Sequence, residues 1–415
     1  MRISTPGFYE AGLKAILDQQ SGLVKTQLQI STQKRVLAPS DDPVASTSIE
    51  ALKKDLASLA RFKQNAQKAQ GYNEQSDGLL STSTTILQQV RDLALRAGNG
   101  TYTILERDAI AREMQERLDE IFGVANTQNA EGEYLFSGFK TNVTPFARDA
   151  AGNYLYNGDN GQRLLNVSAN VSVAINDSGF DVFQNIKNGN GQFATSGALT
   201  NVGAGVISPG TVSDPAAYAA AATQTYTITM VTNSAGQLAY NVFGSVDGQI
   251  IPALPANPTL NAPAYVADSA ITVNGAQVVL TGAPVAGDSF TMQPSSSQDI
   301  FTSIQQAINA IRLPQSNDAQ KAQFRMALDA ALESIDRGME NIDNIRAHVG
   351  SRLNVVESEV ASNQGYQLAN KSTLSSLEDL DMVEAITRFN QQQVALDAAQ
   401  QSFARIQGLS LFRFL

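Results

Sequence analysis

The sequence predicts a mainly α-helical chain with an inserted β-domain: a long coiled-coil and helix-bundle rod built from both chain ends, with a β-rich outer domain in the middle of the sequence. Three observations carry this. Apolar residues recur at three- and four-residue spacing towards both ends of the chain. The central part shifts to short apolar runs punctuated by Gly, Asn and Asp. Each end also carries an apolar row with strict seven-residue recurrence, the mark of a coiled-coil seam.

Composition narrows the function. The chain of 415 residues is long enough for two or three cores, and its formal net charge of −10 argues against nucleic acid or an anionic membrane as partner. With no cysteine, disulfides, zinc–thiolate sites and thiol nucleophiles are excluded. The start, MRISTPGFYEAGLKAILDQQ, lacks the apolar core and small-residue cleavage site of a Sec signal, and no run of about 18 apolar residues predicts membrane insertion. The single histidine, His348, sits in a helical stretch without a nearby nucleophile and reads as a surface or packing residue. No catalytic residue, cofactor or metal ligand is expected.

The elements follow in order. After a first helix, PSDDPVAS (39–46) punctuates the chain: Asp42 suits a helix cap and Pro43 the first helical position. A long helix with Ile49, Leu52, Leu56, Leu59, Leu79, Ile86, Val90 and Leu93 then runs to AGNGTYT (97–103). A third helix carries Ile110, Met114, Leu118 and Ile121 on one face. From about residue 131, GEYLFSGF, YLYNGDNG, TQTYTITMVTN and ITVNGAQVVL read as strands and turns. From 190 to 297 the only charges are Asp214, Asp247, Asp268 and Asp288, which suits an outward module. Helix returns with Ile300, Ile304, Ile308 and Ile311, stopped by Pro314, and then with Phe324, Leu328, Leu332, Ile335, Met339, Ile342 and Ile345. The expected domains are a terminal coiled-coil inner domain (1–43 and 377–415), a helix-bundle middle domain (44–130 and 298–376) and a β-rich outer domain (131–297).

The two ends match. Ile16, Leu23, Ile30 and Leu37 recur every seven residues, as do Met382, Phe389, Leu396 and Phe403. Gln20 and Gln27 stand four places after two of the first row, and Gln393, Gln400 and Gln407 four places after three of the second; Leu13, Leu17, Val24, Leu28, Val394 and Ile406 flank the rows. A lone pair with an amide-rich half-seam buries too little apolar surface to offset ordering some 60 residues. Both ends are therefore expected to be disordered in a monomer and to fold on other copies. That also explains an end as apolar as Leu409, Leu411, Phe412, Phe414 and Leu415, tolerable where assembly hides it. The amides of the Gln rows would allow several registers where an apolar seam fixes one.

These residues resemble the flagellin superfamily, and within it the hook-associated protein 3 family (FlgL). MRIST opens the match, STQKRVLAPSDDPVAS (31–46) is similar to the family's lead into the long helix, and GEYLFSGFKTNVTPF (132–146) with YNGDNGQR (156–163) is closer to the junction family than to filament flagellin. HVGSRLN (348–354) and LSLFRFL (409–415) resemble the flagellin-type C-terminal helix and hydrophobic terminus. Residues 131–187 look family-like, and 190–297 look like an enlarged insert. The resemblance implies a structural subunit joining hook to filament: terminal helices as the inner layer of a tube, helices inside them as a middle domain, a β-domain facing outward. It implies secretion without cleavage through the flagellar type III apparatus. The implied partners are sister copies in a ring, hook-associated protein 1, flagellin and an export chaperone.

Two alternatives stay open at this point: filament flagellin itself, and a secreted protein using the β-domain to bind surfaces. An enzyme is disfavoured. Asp41–Asp42 is explained by helix capping, NGDNG (157–161) lacks the spaced carboxylates of a calcium loop, and KNGNGQ (187–192) lacks the strand and helix of a phosphate loop.

Overall fold

The computed structural model describes residues 5–221 and 223–411. The helices are α1 (Thr5–Thr32), α2 (Pro43–Ala97), α3 (Ile104–Ala125), α4 (Pro215–Ala220), α5 (Ile300–Ile311), α6 (Asp318–Glu378) and α7 (Met382–Leu411). The strands are β1 (Phe146–Arg148), β2 (Tyr154–Tyr156), β3 (Leu164–Asn166), β4 (Ser172–Ala174), β5 (Ile186–Lys187), β6 (Phe193–Gly197), β7 (Ala204–Ile207), β8 (Thr211–Val212), β9 (Tyr226–Thr232), β10 (Leu238–Gly244), β11 (Gly248–Ile251), β12 (Ala270–Val273), β13 (Ala276–Ala283), β14 (Ser289–Pro294) and β15 (Ser297–Gln298). Helical terminal regions thus flank a β-rich centre, as the periodicities predict.

The residues form two compact units, one of 1–66, 166–171 and 357–415, the other of 67–165 and 172–356. In the larger unit, α5 is amphipathic: its four stripe isoleucines are fully buried, while Gln306 and Asn309 are exposed on the opposite face. It packs with α3, whose Met114, Leu118 and Ile121 are buried, and with Leu87, Val90, Leu328 and Ile335 of α2 and α6. Arg91 pairs with Asp336 at 2.7 Å and Arg346 with Asp77 at 3.1 Å, tying α2 to α6. Residues 131–187, expected with the outer domain, send Leu135, Phe136, Phe146, Phe183 and Ile186 into this helical core. Phe301 of α5 meets the rings of Phe122, Phe146, Tyr154 and Phe183 at centroid distances of 5.1–5.9 Å. Aromatic packing, not a separate β-core, is what GEYLFSGF supplies.

A second core begins after β5. One antiparallel sheet runs β11-β10-β9-β14-β6 and another β12-β13-β7, with β8 beside β13. Alternating residues such as Ile228, Met230, Phe290 and Met292 meet Ile271, Val273, Val278 and Leu280 between them. Asn274 and Gly275 both take positive φ, as the two-residue β12–β13 hairpin turn requires. The whole insert leaves and returns through the β5–β15 ladder, where Ile186 faces Gln298 and Lys187 faces Ser297.

In the smaller unit α1 packs along α7. The start of α2 is capped as expected: Asp42 Oδ1 accepts the Ala45 N–H at 2.9 Å, one residue before Pro43 begins the helix. Asn65 and Asn363 reach from α2 and α6 to donate to the Asn166 and Val167 carbonyls, each at 2.8 Å.

Candidate assembly surface

α1 and α7 show what the matched ends do. Ile16, Leu23 and Ile30 on α1, and Met382, Phe389, Leu396 and Phe403 on α7, are each partly buried on the faces the helices turn to each other. Between them lie residues three places further on: Gln19 and Thr26 on one helix, Ala385, Gln392 and Ala399 on the other, with Thr26 and Ala385 fully enclosed. The Tyr9 and Phe403 rings meet at a 48° tilt with centroids 5.1 Å apart, and Gly12 leaves the hollow that the Phe403 ring occupies: a Cβ there would stand 3.0 Å from it. Gly22 likewise faces Gln392.

Two expectations need correction. Leu37 is not part of the helical row, because α1 ends at Thr32 and Gln33 turns the chain at φ +59. Nor do the expected amide rows line the seam. Gln20, Gln27, Gln393 and Gln400 are exposed. In a heptad the second seam position lies three residues after the first, so residues four places on fall on the flank. The side chains of Ile406, Gln407 and Leu411, and residues Phe412, Phe414 and Leu415, lie outside the described residues.

With the seam filled, a second apolar face is left over. Leu13 (43% exposed), Leu17 (55%), Val24 (55%) and Leu28 (52%) fall within one arc of α1, roughly 130° round from the seam at about 100° per residue. On α7, Val383, Ile386 and Val394 do the same, Val394 being 69% exposed. Val383 and Ile386 were not singled out from the sequence; their spacing to Val394, on the face opposite the heptad row, is the signal that finds them.

The loops between the helix pairs are held by charge. Glu378, nearly buried, takes the Lys34 ammonium at 2.6 Å and Lys53 at 3.0 Å. The Lys34 hydrogen bond holds the Glu378 carboxyl below the ordinary glutamate range. Arg35 donates its backbone N–H to the Glu378 carbonyl at 2.7 Å and its guanidinium to the Leu377 carbonyl at 2.9 and 3.2 Å. Gln29 Nε2 closes on the Arg35 carbonyl at 2.6 Å. Asp41 accepts from Lys25 and from the Leu37 and Ala38 N–H groups, so its carboxylate holds the turn. Asp381 caps α7 by accepting from Val383 and Glu384. No cluster of three metal-ligating side chains occurs among the described residues, and His348 is exposed on α6.

The comparisons with known proteins agree with this arrangement of terminal helices. The bacterial flagellin N-terminal helical region matches residues 3–141 and the bacterial flagellin C-terminal helical region matches 332–415. The crystal structure of flagellar hook associated protein-3 from Legionella pneumophila is 34% identical, has a TM-score of 0.76, and is covered over 98% of its length by 79% of this chain. The chain belongs to the hook-associated protein 3 family. Flagellar hook-associated protein 3 of Salmonella typhimurium aligns over all of this chain and 99% of its own length at 23% identity. Flagellin of Clostridium tyrobutyricum, by contrast, aligns over 37% of this chain at 30% identity. Filament flagellin therefore shares part of the chain, whereas hook-associated protein 3 shares its full extent. As a member of that family the chain is a structural, flagellin-like component of the flagellum at the hook–filament junction.

Proposed function

We propose that this chain is a non-enzymatic junction subunit whose paired terminal helices polymerise with sister copies, with hook-associated protein 1 on the hook side and flagellin on the filament side. The observation that carries this is the leftover face. Leu13, Leu17, Val24 and Leu28 stay exposed although the same helix has already filled its seam with α7. Four large apolar side chains in one stripe are a contact surface awaiting a neighbour. In a tube the contact is heterologous, so the α1 and α7 faces meet different surfaces on adjoining subunits. Under the same reading Ile16, Leu23, Ile30, Met382, Phe389, Leu396 and Phe403 build the pair, and Leu13, Leu17, Val24 and Val394 build the interface. Gln393 and Gln400, exposed beside the seam, tune it; Gln407, Leu411, Phe412, Phe414 and Leu415 complete it at the chain end. Export is through the flagellar type III apparatus without cleavage, with a chaperone covering the C-terminal segment beforehand.

The test is Leu17→Asp with Val24→Asp. Both positions are exposed, so folding of the single chain is unaffected, while cells are expected to shed unpolymerised flagellin and lose swimming. Normal swimming with full-length filaments would refute the proposal.

A further inference from the structure

The chain contains six Asn-Gly pairs, at Asn99, Asn157, Asn160, Asn188, Asn190 and Asn274. Such a pair carries its own chemistry. The glycine's backbone nitrogen can attack the asparagine Cγ, because no glycine Cβ hinders the backbone from swinging into line. Whether it does so depends on how each pair is held.

Five of the six are pinned. Gly158 is boxed in: a Cβ there would stand 2.4 Å from the Tyr156 hydroxyl and 2.9 Å from the Ser137 carbonyl oxygen. Gly161 donates its N–H to Asp159 Oδ1 at 2.9 Å, while Asn160 Oδ1 accepts from Ser178 Oγ at 3.3 Å. Asn188 is held by Ser296, accepting its N–H at 3.0 Å and donating to its Oγ at 3.3 Å. Gly191 donates to the Asn188 carbonyl at 3.3 Å, and Asn190 Nδ2 to the Gly210 carbonyl at 3.1 Å. Gly275 is buried in the β12–β13 turn, and Asn274 Nδ2 donates to Tyr226 Oη at 3.2 Å.

Asn99, in the link between α2 and α3, is different. Asn99 and Gly100 are both exposed, and a Cβ at Gly100 would meet nothing within 4 Å. Neither the Gly100 N–H nor Asn99 Nδ2 has a hydrogen-bond partner among the described residues, so nucleophile and leaving group are both unencumbered. Asn99 Oδ1, by contrast, accepts twice from one residue: from the Thr101 N–H at 3.3 Å and from the Thr101 hydroxyl at 3.1 Å. Thr101 lies two places on, so these bonds fold the side-chain amide back over the Gly100 peptide. They also aim two donors at the oxygen on which negative charge develops when Cγ is attacked.

We propose that Asn99 is a self-modifying site, at which the chain's own backbone converts the side-chain amide into a carboxylate. Solvent hydroxide takes the Gly100 N–H proton as the nitrogen bonds to Asn99 Cγ. The Cγ–Nδ2 bond then breaks, Nδ2 leaves as ammonia with a proton from water, and a cyclic imide remains. Water adds to either of the imide carbonyls. One opening gives aspartate at position 99; the other gives isoaspartate, with the backbone routed through the side-chain carbon and the α-carboxylate free. Both put a negative charge between α2 and α3, and the second lengthens the link by a carbon. The conversion needs no enzyme or partner, so its extent tracks the age of the chain.

The test incubates freshly purified full-length chain at neutral and at mildly alkaline pH, folded and in urea. Peptide mapping by mass spectrometry reads the change from amide to acid at each of the six pairs. In the folded chain Asn99 is expected to convert at least about tenfold faster than any other pair, and faster still at the higher pH. In urea all the pairs should converge to within a few-fold, since only the fold separates them. Gly100→Ala should slow Asn99 by about tenfold or more, by crowding the attack. Thr101→Val should slow it by about fivefold, and Thr101→Ser should restore it, because the hydroxyl returns. Gly100 and Thr101 are both exposed, so these variants leave the fold in place. Asn99 still an amide when another pair has converted, folded rates no further apart than those in urea, or Thr101→Val without effect would each overturn the proposal.

Discussion

Glu378 Oε1 lies 2.6 Å from the ammonium of Lys34 and 3.0 Å from that of Lys53, so one nearly buried carboxylate answers two cations from distant parts of the sequence. It does so where the chain passes from α1 to α2 and from α6 to α7, with Leu380 donating its N–H to the Gln33 carbonyl at 3.1 Å. This joint fixes how the chain's two ends enter their shared pair.

Glu378→Gln should loosen the joint. Because both lysines are substantially exposed, the loss is about 1 kcal/mol, read as roughly fivefold faster hydrogen exchange at the Arg35 and Leu380 amides. The wild type should do the same in acid. A depressed carboxylate contributes stability that is complete above the unfolded value of about 4.3 and is lost as pH falls through its lower folded value. After correction for intrinsic exchange, the variant should lack that acid step. Identical profiles in both proteins would remove the charge from the account.

The terminal pair should hold only in company. In a dilute monomer, the amides of Thr26 and Val394 are expected to exchange within a few-fold of the unfolded rate, while that of Ile308 in α5 stays protected by orders of magnitude. In assembled flagella all three should be protected. Slow exchange at Thr26 and Val394 in the monomer would show that the α1–α7 seam suffices by itself.

The insert should be separable from the helical core. Replacing 188–296 by Asn-Gly joins Lys187 to Ser297, already opposite each other in the β5–β15 ladder, by a two-residue turn. Apart from Met326 of α6, the insert's core residues go with it. The shortened chain is expected to keep the thermal transition of the helical core within about 2–4 °C, the shift that about 1 kcal/mol gives in a domain of this size. Aggregation on expression would mean that the insert supports the helices instead.

Much of the helical architecture is legible because it rests on local chemistry. The isoleucines of α5 mark a buried face by spacing alone, and Asp42–Pro43 marks a helix start because cap and first turn need those residue types. The terminal rows are legible too, but the residues that fill the seam beside them are not the ones the spacing suggests. Rows four residues apart look like a seam, yet geometry puts Gln19, Thr26 and Gln392 there and leaves Gln20, Gln27, Gln393 and Gln400 outside. Leu37 continued the seven-residue count past the end of the helix, where arithmetic has no backbone to act on. Glu378 is not legible for another reason: its partners Lys34 and Lys53 lie far away in the chain.

The hollow at Gly12 acts like a notch in a ruler. A heptad seam by itself repeats, and α7 slid by seven residues would again find apolar against apolar. Only one setting drops the broad ring of Phe403 against a residue with no side chain; a full step either way offers Gly12 a leucine or a serine instead. Once paired in the assembly, the first and last helices therefore lock at one height, and every subunit built into the junction presents its stripe at the same level as its neighbour's.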